Sequence, residues 1–149
     1  MSEPLDILVL SHLVPWPPTS GVLARCYNLL REVAAHHRIY LYAVNQEVLL
    51  PAAAVGASVR HMETICEEVR VFPLAGAGAH SRLGAASLLA RNLVSPLPYS
   101  VPRFYSPDLE HAVIELLGRR PIRILQFETI AMAQYGALAH DLPSILVHQ

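Results

Sequence analysis

A short, nearly continuous apolar run, Leu5 to Leu10, is broken within a few residues by the turn Val14-Pro15-Trp16-Pro17-Pro18-Thr19-Ser20-Gly21. Such a run reads as a strand buried on both faces. Proline has no N–H to give to a ladder, so the strand must end near His12 to Val14. Gly21 then stands where a helix begins. Val22, Leu23, Cys26, Leu29, Leu30 and Val33 follow at helical spacing, one stripe that needs a sheet to cover it. Backbone N–H groups at such a helix N-terminus can face an anion. Open α/β sheets bind phosphorylated ligands at this end.

The alternation continues. Ile39-Tyr40-Leu41-Tyr42-Ala43-Val44 is rich in strand formers and predicts a second strand. Val55 to Glu68 predicts a helix broken by Gly56, and Val69 to Phe72 a third strand closed by Pro73. Gly76 and Gly78 mark a loop, and Ser81 to Val94 has helical spacing. Ser95 to Pro107 carries Pro96, Pro98, Pro102 and Pro107 among Tyr99, Phe104 and Tyr105, an extended aromatic connection. Ser106 is placed to cap a helix that has Pro107 at its first position and runs to Leu117, with Gly118 as its stop. Ile122 to Phe127 is a fourth strand, Thr129 to His140 a helix, and Leu142 to His148 a fifth strand. The expected fold is α/β, a Rossmann-like open parallel sheet with helices on both faces.

Composition narrows the function classes. With 53% hydrophobic and 15% charged residues, the chain has the makings of a packed core. The balance of 11 basic against 12 acidic residues, net −1, excludes a nucleic-acid partner held by bulk charge. Cys26 and Cys66 make neither a disulfide framework nor a Cys-x-x-Cys site. Cys26 lies on the apolar stripe of the first helix and reads as a buried thiol. Met1-Ser2-Glu3-Pro4 lacks the basic start of a signal peptide, and no apolar run has transmembrane length, so the cytoplasm is the expected compartment. His61, His80, His111 and His140 show no ligand spacing, so no metal is expected.

Ser11 through Arg25 resembles the opening of group 1 (family 4) glycosyltransferases of the two-domain GT-B fold. Those proteins begin with an apolar strand, then Pro-x-Pro-Pro-x-x-Gly-x-x-x-Arg, then a helix like the one holding Tyr27-Asn28-Leu29-Leu30-Arg31-Glu32-Val33. Leu97-Pro98-Tyr99-Ser100-Val101-Pro102-Arg103-Phe104-Tyr105-Ser106-Pro107 is similar to a subgroup that acts in bacterial exopolysaccharide or cell-surface sugar assembly. The resemblance runs across most of the chain and covers the N-terminal half of the family. It implies a retaining transfer of sugar from a nucleotide diphosphate sugar to a glycan or lipid-linked acceptor, with no separate cofactor. Residues 1–149 would then be a truncated, acceptor-side N-terminal domain, inactive without the nucleotide-sugar domain that follows in the family.

The resemblance also assigns roles. Gly21 matches the glycine whose backbone approaches the donor diphosphate; a plain turn glycine is the competing reading. Arg25, one turn into the helix, is the matching candidate for a phosphate or acceptor anion; a solvated or sheet-edge arginine is the competing reading. Ser20, Val22, Leu23 and Ala24 stand where relatives often carry charges. His148 matches a histidine near the transferred sugar and is the catalytic candidate; an ordinary strand-end histidine or a frayed terminus is the competing reading. From position alone, Glu128 ends the fourth strand and is suited to an acceptor hydroxyl, or equally to a helix start. Gln126 is a weaker candidate on the same strand. His12 ends the first strand on the same rim and is a second acceptor candidate, against an ordinary loop histidine. His36 and His37 close the first helix and are given no chemistry.

Gly76-Ala77-Gly78-Ala79-His80-Ser81 narrowly misses a dinucleotide fingerprint, since Ser81 replaces its third glycine. Arg82, Arg91 and Arg103 beside an apolar helix are compatible with peripheral contact at the inner face of a membrane, although surface arginines on a core helix are the simpler account. An uncovered last strand leaves an edge open to homo-oligomers. The competing functions are another GT-B enzyme, such as a nucleotide-sugar epimerase, and a non-catalytic α/β binding module. A receiver domain fits poorly, because the first strand ends in Ser11-His12, without an acidic pair, and the chain has no lysine.

Overall fold

The structure is a computed structural model that describes residues 3–47, 49–74 and 103–147. Its elements run β1 (Asp6–Ser11), α1 (Gly21–Ala34), β2 (Arg38–Asn45), α2 (Ala52–Met62), β3 (Glu68–Pro73), α3 (Pro107–Arg119), β4 (Ile124–Phe127), a 3₁₀ segment (Met132–Ala139) and β5 (Ser144–Leu146). The strands form one sheet in the order β3-β2-β1-β4-β5, and every pair is parallel. This is the Rossmann-like open sheet that the sequence predicts.

β1 lies at the centre, and all six of its residues are buried. Ile7 pairs with Ile39 of β2 on one side and Ile124 of β4 on the other. Its side chains alternate between two cores. Leu8 and Leu10 join Tyr40, Tyr42, Leu125 and Phe127 under α3 and the 3₁₀ segment. Ile7 and Val9 join Ile39 and Leu41 under α1 and α2, where Cys26, Leu30 and Met62 close the layer. Helices therefore cover both faces of the sheet.

Two helices end differently from expectation. α2 begins after Pro51 and runs unbroken through Gly56, whose backbone has no left-handed φ. It stops at Met62, short of the expected Glu68. α3 passes Gly118 and ends at Arg119, because Arg120 precedes Pro121 and takes the extended backbone (φ −130, ψ 143) that a following proline enforces. Thr129 to His140 contains the 3₁₀ segment in place of an α-helix. β5 is shorter than expected and fully on the surface, with Ile145 and Leu146 50% and 46% exposed. The expected helix 81–94, the Gly76–Ser81 loop, and Arg82 and Arg91 lie outside the described residues. Arg103 is described, exposed, with its guanidinium 5.9 Å from the Phe104 ring. Among the described residues no helix is long and apolar enough to cross a membrane.

Polar ties join the strands to one another, α3 to the sheet, and the start of α3 to the 3₁₀ segment. Asp6 pairs with Arg38 across β1 and β2. Arg119 donates to both carboxylate oxygens of Glu68 at 2.7 and 2.6 Å, and the Tyr42 hydroxyl donates to the same carboxylate at 2.6 Å. Ser106 caps α3 as expected, its Oγ accepting from Leu109 N at 3.3 Å. Tyr135 bridges the cap. Its hydroxyl accepts from Ser106 N at 2.8 Å and donates to Phe104 O at 2.9 Å. Tyr135→Phe leaves both backbone groups short of a partner in a buried place, so urea unfolding should show a loss of about 1–3 kcal/mol.

Alkali should destabilise the same core. Burial pushes the Tyr42 and Tyr135 hydroxyls up to about 12 from the usual 10, and for Tyr42 the Glu68 carboxylate adds to the effect. An unfolded tyrosine ionises first, so stability holds below pH 10 and falls as pH rises towards 12. Unfolding midpoints measured across that range should drop, and Tyr135→Phe should flatten part of the slope.

Candidate functional site

The carboxyl end of a parallel sheet is where its strands hand over to loops and where helices present N-termini. Here β1 ends in a side-chain turn. Ser11 Oγ donates to Leu13 O at 2.6 Å and accepts from Leu13 N at 3.3 Å. The chain then enters the proline segment, in which the Trp16–Pro17 peptide bond is cis. Ser20 caps α1 by accepting from Leu23 N at 3.3 Å.

Contacts distant in sequence hold this turn. The Trp16 ring stacks on His61 of α2, centroids 3.5 Å apart and planes within 13°. Tyr27 of α1 closes the group, its hydroxyl 3.1 Å from His61 Nε2 and its ring 5.0 Å from Trp16. Gln46 Nε2 donates to His12 O at 2.7 Å and ties the exit of β2 to the exit of β1. The turn is thus braced on three sides by groups that the sequence reading did not single out.

Gly21 occupies the first position of α1, on the surface. A Cβ built there meets nothing within 4 Å, and its φ lies outside the left-handed region. The fold itself does not require glycine at this position. Arg25 lies one turn further along, exposed on α1, as the spacing predicts.

The rim also carries buried polar atoms without partners. Among the described residues these are His12 Nδ1, Asn45 Oδ1 and Thr129 Oγ1. His12 follows β1, Asn45 ends β2 and Thr129 stands two residues past β4, and these three strands are neighbours in the sheet. Unpaired buried polar groups cost about 1–3 kcal/mol each. All three lie at the carboxyl end of the sheet, and each has hydrogen-bonding capacity that no described residue uses. Asn45 and Thr129 went unnoticed in the sequence; their one signal was a polar side chain at or just past the carboxyl end of a strand.

His12 keeps its expected position on the rim. Its ring meets Phe104 edge to face at 5.8 Å, and burial lowers its pKa below the usual 6.5. It is therefore neutral at pH 7, with one nitrogen able to donate and the other to accept.

Glu128 is held differently from the other rim groups. It is 1% exposed, beneath α1, and Gln126 Nε2 donates to its Oε1 at 2.6 Å. The Cys26 thiol also bonds this carboxylate; burial and Glu128 together push the thiol pKa up, so Cys26 stays protonated, the inert buried thiol that the sequence predicts. Glu128 and Gln126 thus form a covered polar pair that fastens the end of β4 to the first turns of α1, where the positive end of the helix dipole favours a carboxylate. His37 has a structural contact, its Nδ1 accepting from Leu5 N at 3.3 Å. His148 lies outside the described residues. No group of three or more potential metal ligands occurs among the described residues.

No family model, curated protein or solved structure matches this chain.

Two measurements check the geometry. Gly21→Ala should fold with unchanged or slightly raised stability, by up to about 1 kcal/mol, because alanine meets open space and a helical backbone. The His12 ring, followed by NMR, should titrate below 6.5. An unfolded histidine takes the proton more readily, so the His12 contribution to stability is lost as pH falls below 6.5.

Proposed function

We propose that this chain is the acceptor-side, N-terminal part of a retaining GT-B glycosyltransferase that moves a sugar from a nucleotide diphosphate sugar to a glycan or lipid-linked acceptor. The observation that carries the reading is the proline turn, which opens at Gly21 on the N-terminus of α1, at the end of the sheet where buried atoms of His12, Asn45 and Thr129 have no partner among the described residues. The turn gives a diphosphate a close approach to backbone N–H groups, because the space over Gly21 is open. Arg25 adds a cation one turn away. The rim supplies hydrogen bonds for acceptor hydroxyls, with neutral His12 able to take either role. In this reading His148 contacts the transferred sugar. The covered Glu128 acts by setting the distance between α1 and β4 more than by touching an acceptor.

The proposal places the protein in the cytoplasm, at the inner face of the membrane when the acceptor is lipid-linked. The donor sugar bond breaks with its electron pair leaving on the diphosphate, which needs charge stabilisation as it departs. A second domain facing the rim would provide the remainder of that stabilisation.

The test uses the complete natural product of this reading frame and labelled nucleotide diphosphate sugars. Sugar transfer to a cell-surface glycan or lipid-linked acceptor is expected. Gly21→Val, which blocks the approach while meeting open space in the fold, should lower kcat/KM by about 10²-fold with unchanged circular dichroism. His148→Ala should lower kcat by roughly 10²–10³-fold. Absence of transfer, or full activity in Gly21→Val, contradicts the proposal.

A further inference from the structure

A cleft of about 220 Å³ lies between the proline turn, the first turns of α1 and the connection from β2 into α2. Its walls are mainly apolar: Leu13, Val14, Leu23, Leu50 and Ala54. Trp16 lines it too, and Leu49, 57% exposed, stands at its mouth. Among the described residues that line it, Asn45 and Gln46 bring side-chain amides.

The cleft is preformed. Trp16 is clamped by His61 and Tyr27. Gln46 is anchored on His12 O, and its own carbonyl accepts from Leu49 N and Leu50 N at 2.8 and 3.0 Å. A ligand therefore meets walls already ordered, which removes much of the entropic cost of binding. Asn45 sets the polar end. Its Oδ1 has no hydrogen-bond partner among the described residues, and its terminal torsion is broad enough to turn that oxygen into the cleft.

We propose that this cleft binds an amphiphile, an aliphatic or aryl group next to a hydroxyl, with the apolar group between Leu23, Leu50 and Ala54 and the hydroxyl donating to Asn45 Oδ1. An apolar cavity of ~150 Å³ accepts benzene, so this one takes roughly six to nine carbons. The inference goes beyond the transferase reading, shares Asn45 with it and does not rest on it. Direct binding tests it, and sugar transfer does not enter.

Trp16 is the only tryptophan of the chain and lines the cleft, so its emission reports occupancy. The 149-residue chain is titrated with straight-chain primary alcohols from butanol to decanol. Binding should be saturable and should tighten about fourfold per methylene until the cleft is full. The methyl ether of each alcohol cannot donate and should bind roughly three- to tenfold more weakly, a preference that Asn45→Ala removes. Ala54→Phe fills the cleft and should weaken binding more than tenfold. Leu49→Asp alters only an exposed side chain at the mouth, so it keeps the test decisive if Ala54→Phe fails to fold; it should weaken binding several-fold. No saturable response, an affinity independent of chain length, or wild-type affinity in folded Leu49→Asp overturns the proposal. Loss of the ether discrimination alone overturns the role of Asn45 and leaves a purely apolar cleft, which also contradicts the amphiphile.

Discussion

A central strand with no face in water has to leave the sheet somewhere, and its exit governs the rest of this molecule. β1 is buried along all six residues and paired on both sides. Its backbone groups are satisfied only while the ladder lasts. At Ser11 the ladder stops because prolines follow that cannot donate. The exit is then rebuilt from side chains: Ser11 on Leu13, Gln46 on His12 O, and the Trp16 ring on His61. The last two of these contacts join the exit of β1 to elements that arrive later in the chain, so the site and the fold share the same bonds.

Among the described residues the same end of the sheet holds buried polar atoms without partners, on His12, Asn45 and Thr129, where three adjacent strands end. At the opposite end of the sheet the polar groups are paired, Asp6 with Arg38 and Glu68 with Arg119 and Tyr42. One end is therefore closed by ion pairs that hold the fold, and the other keeps hydrogen-bonding capacity in reserve. That asymmetry supports the proposal that ligands bind at the carboxyl rim.

Much of the architecture was legible in the sequence because burial on both faces writes itself as continuous apolar runs. β1, β2 and β3 lie within a residue or two of those runs, and the Ser106 cap stands where a polar side chain precedes a helical stripe. What misled were rules applied to single residues. Gly56 has room inside α2, and Gly118 yields to the stronger veto of Arg120-Pro121, so neither glycine ends its helix. The helix expected over Thr129 to His140 contains a 3₁₀ segment instead. Of the site, the positions of Gly21, Arg25 and His12 were legible, since they follow from where a strand ends and a helix starts. The stack of Trp16 on His61, the unpaired Asn45 and Thr129 atoms, and the covering of Glu128 by Cys26 were not. They depend on which strands become neighbours, and β1 meets β4 only through a crossover of more than a hundred residues.

The central claim is that the carboxyl rim, at the N-terminus of α1, is the ligand-binding end of the molecule. Its most direct test is a map of amide chemical shifts in the isotope-labelled chain as pyrophosphate, the simplest diphosphate, is added. The account predicts shifts concentrated at Ser20 to Leu23 and at His12, with Asp6, Arg38 and Arg119 at the opposite end unmoved. Shifts confined to that opposite end, or none at the start of α1 at millimolar pyrophosphate, would contradict it.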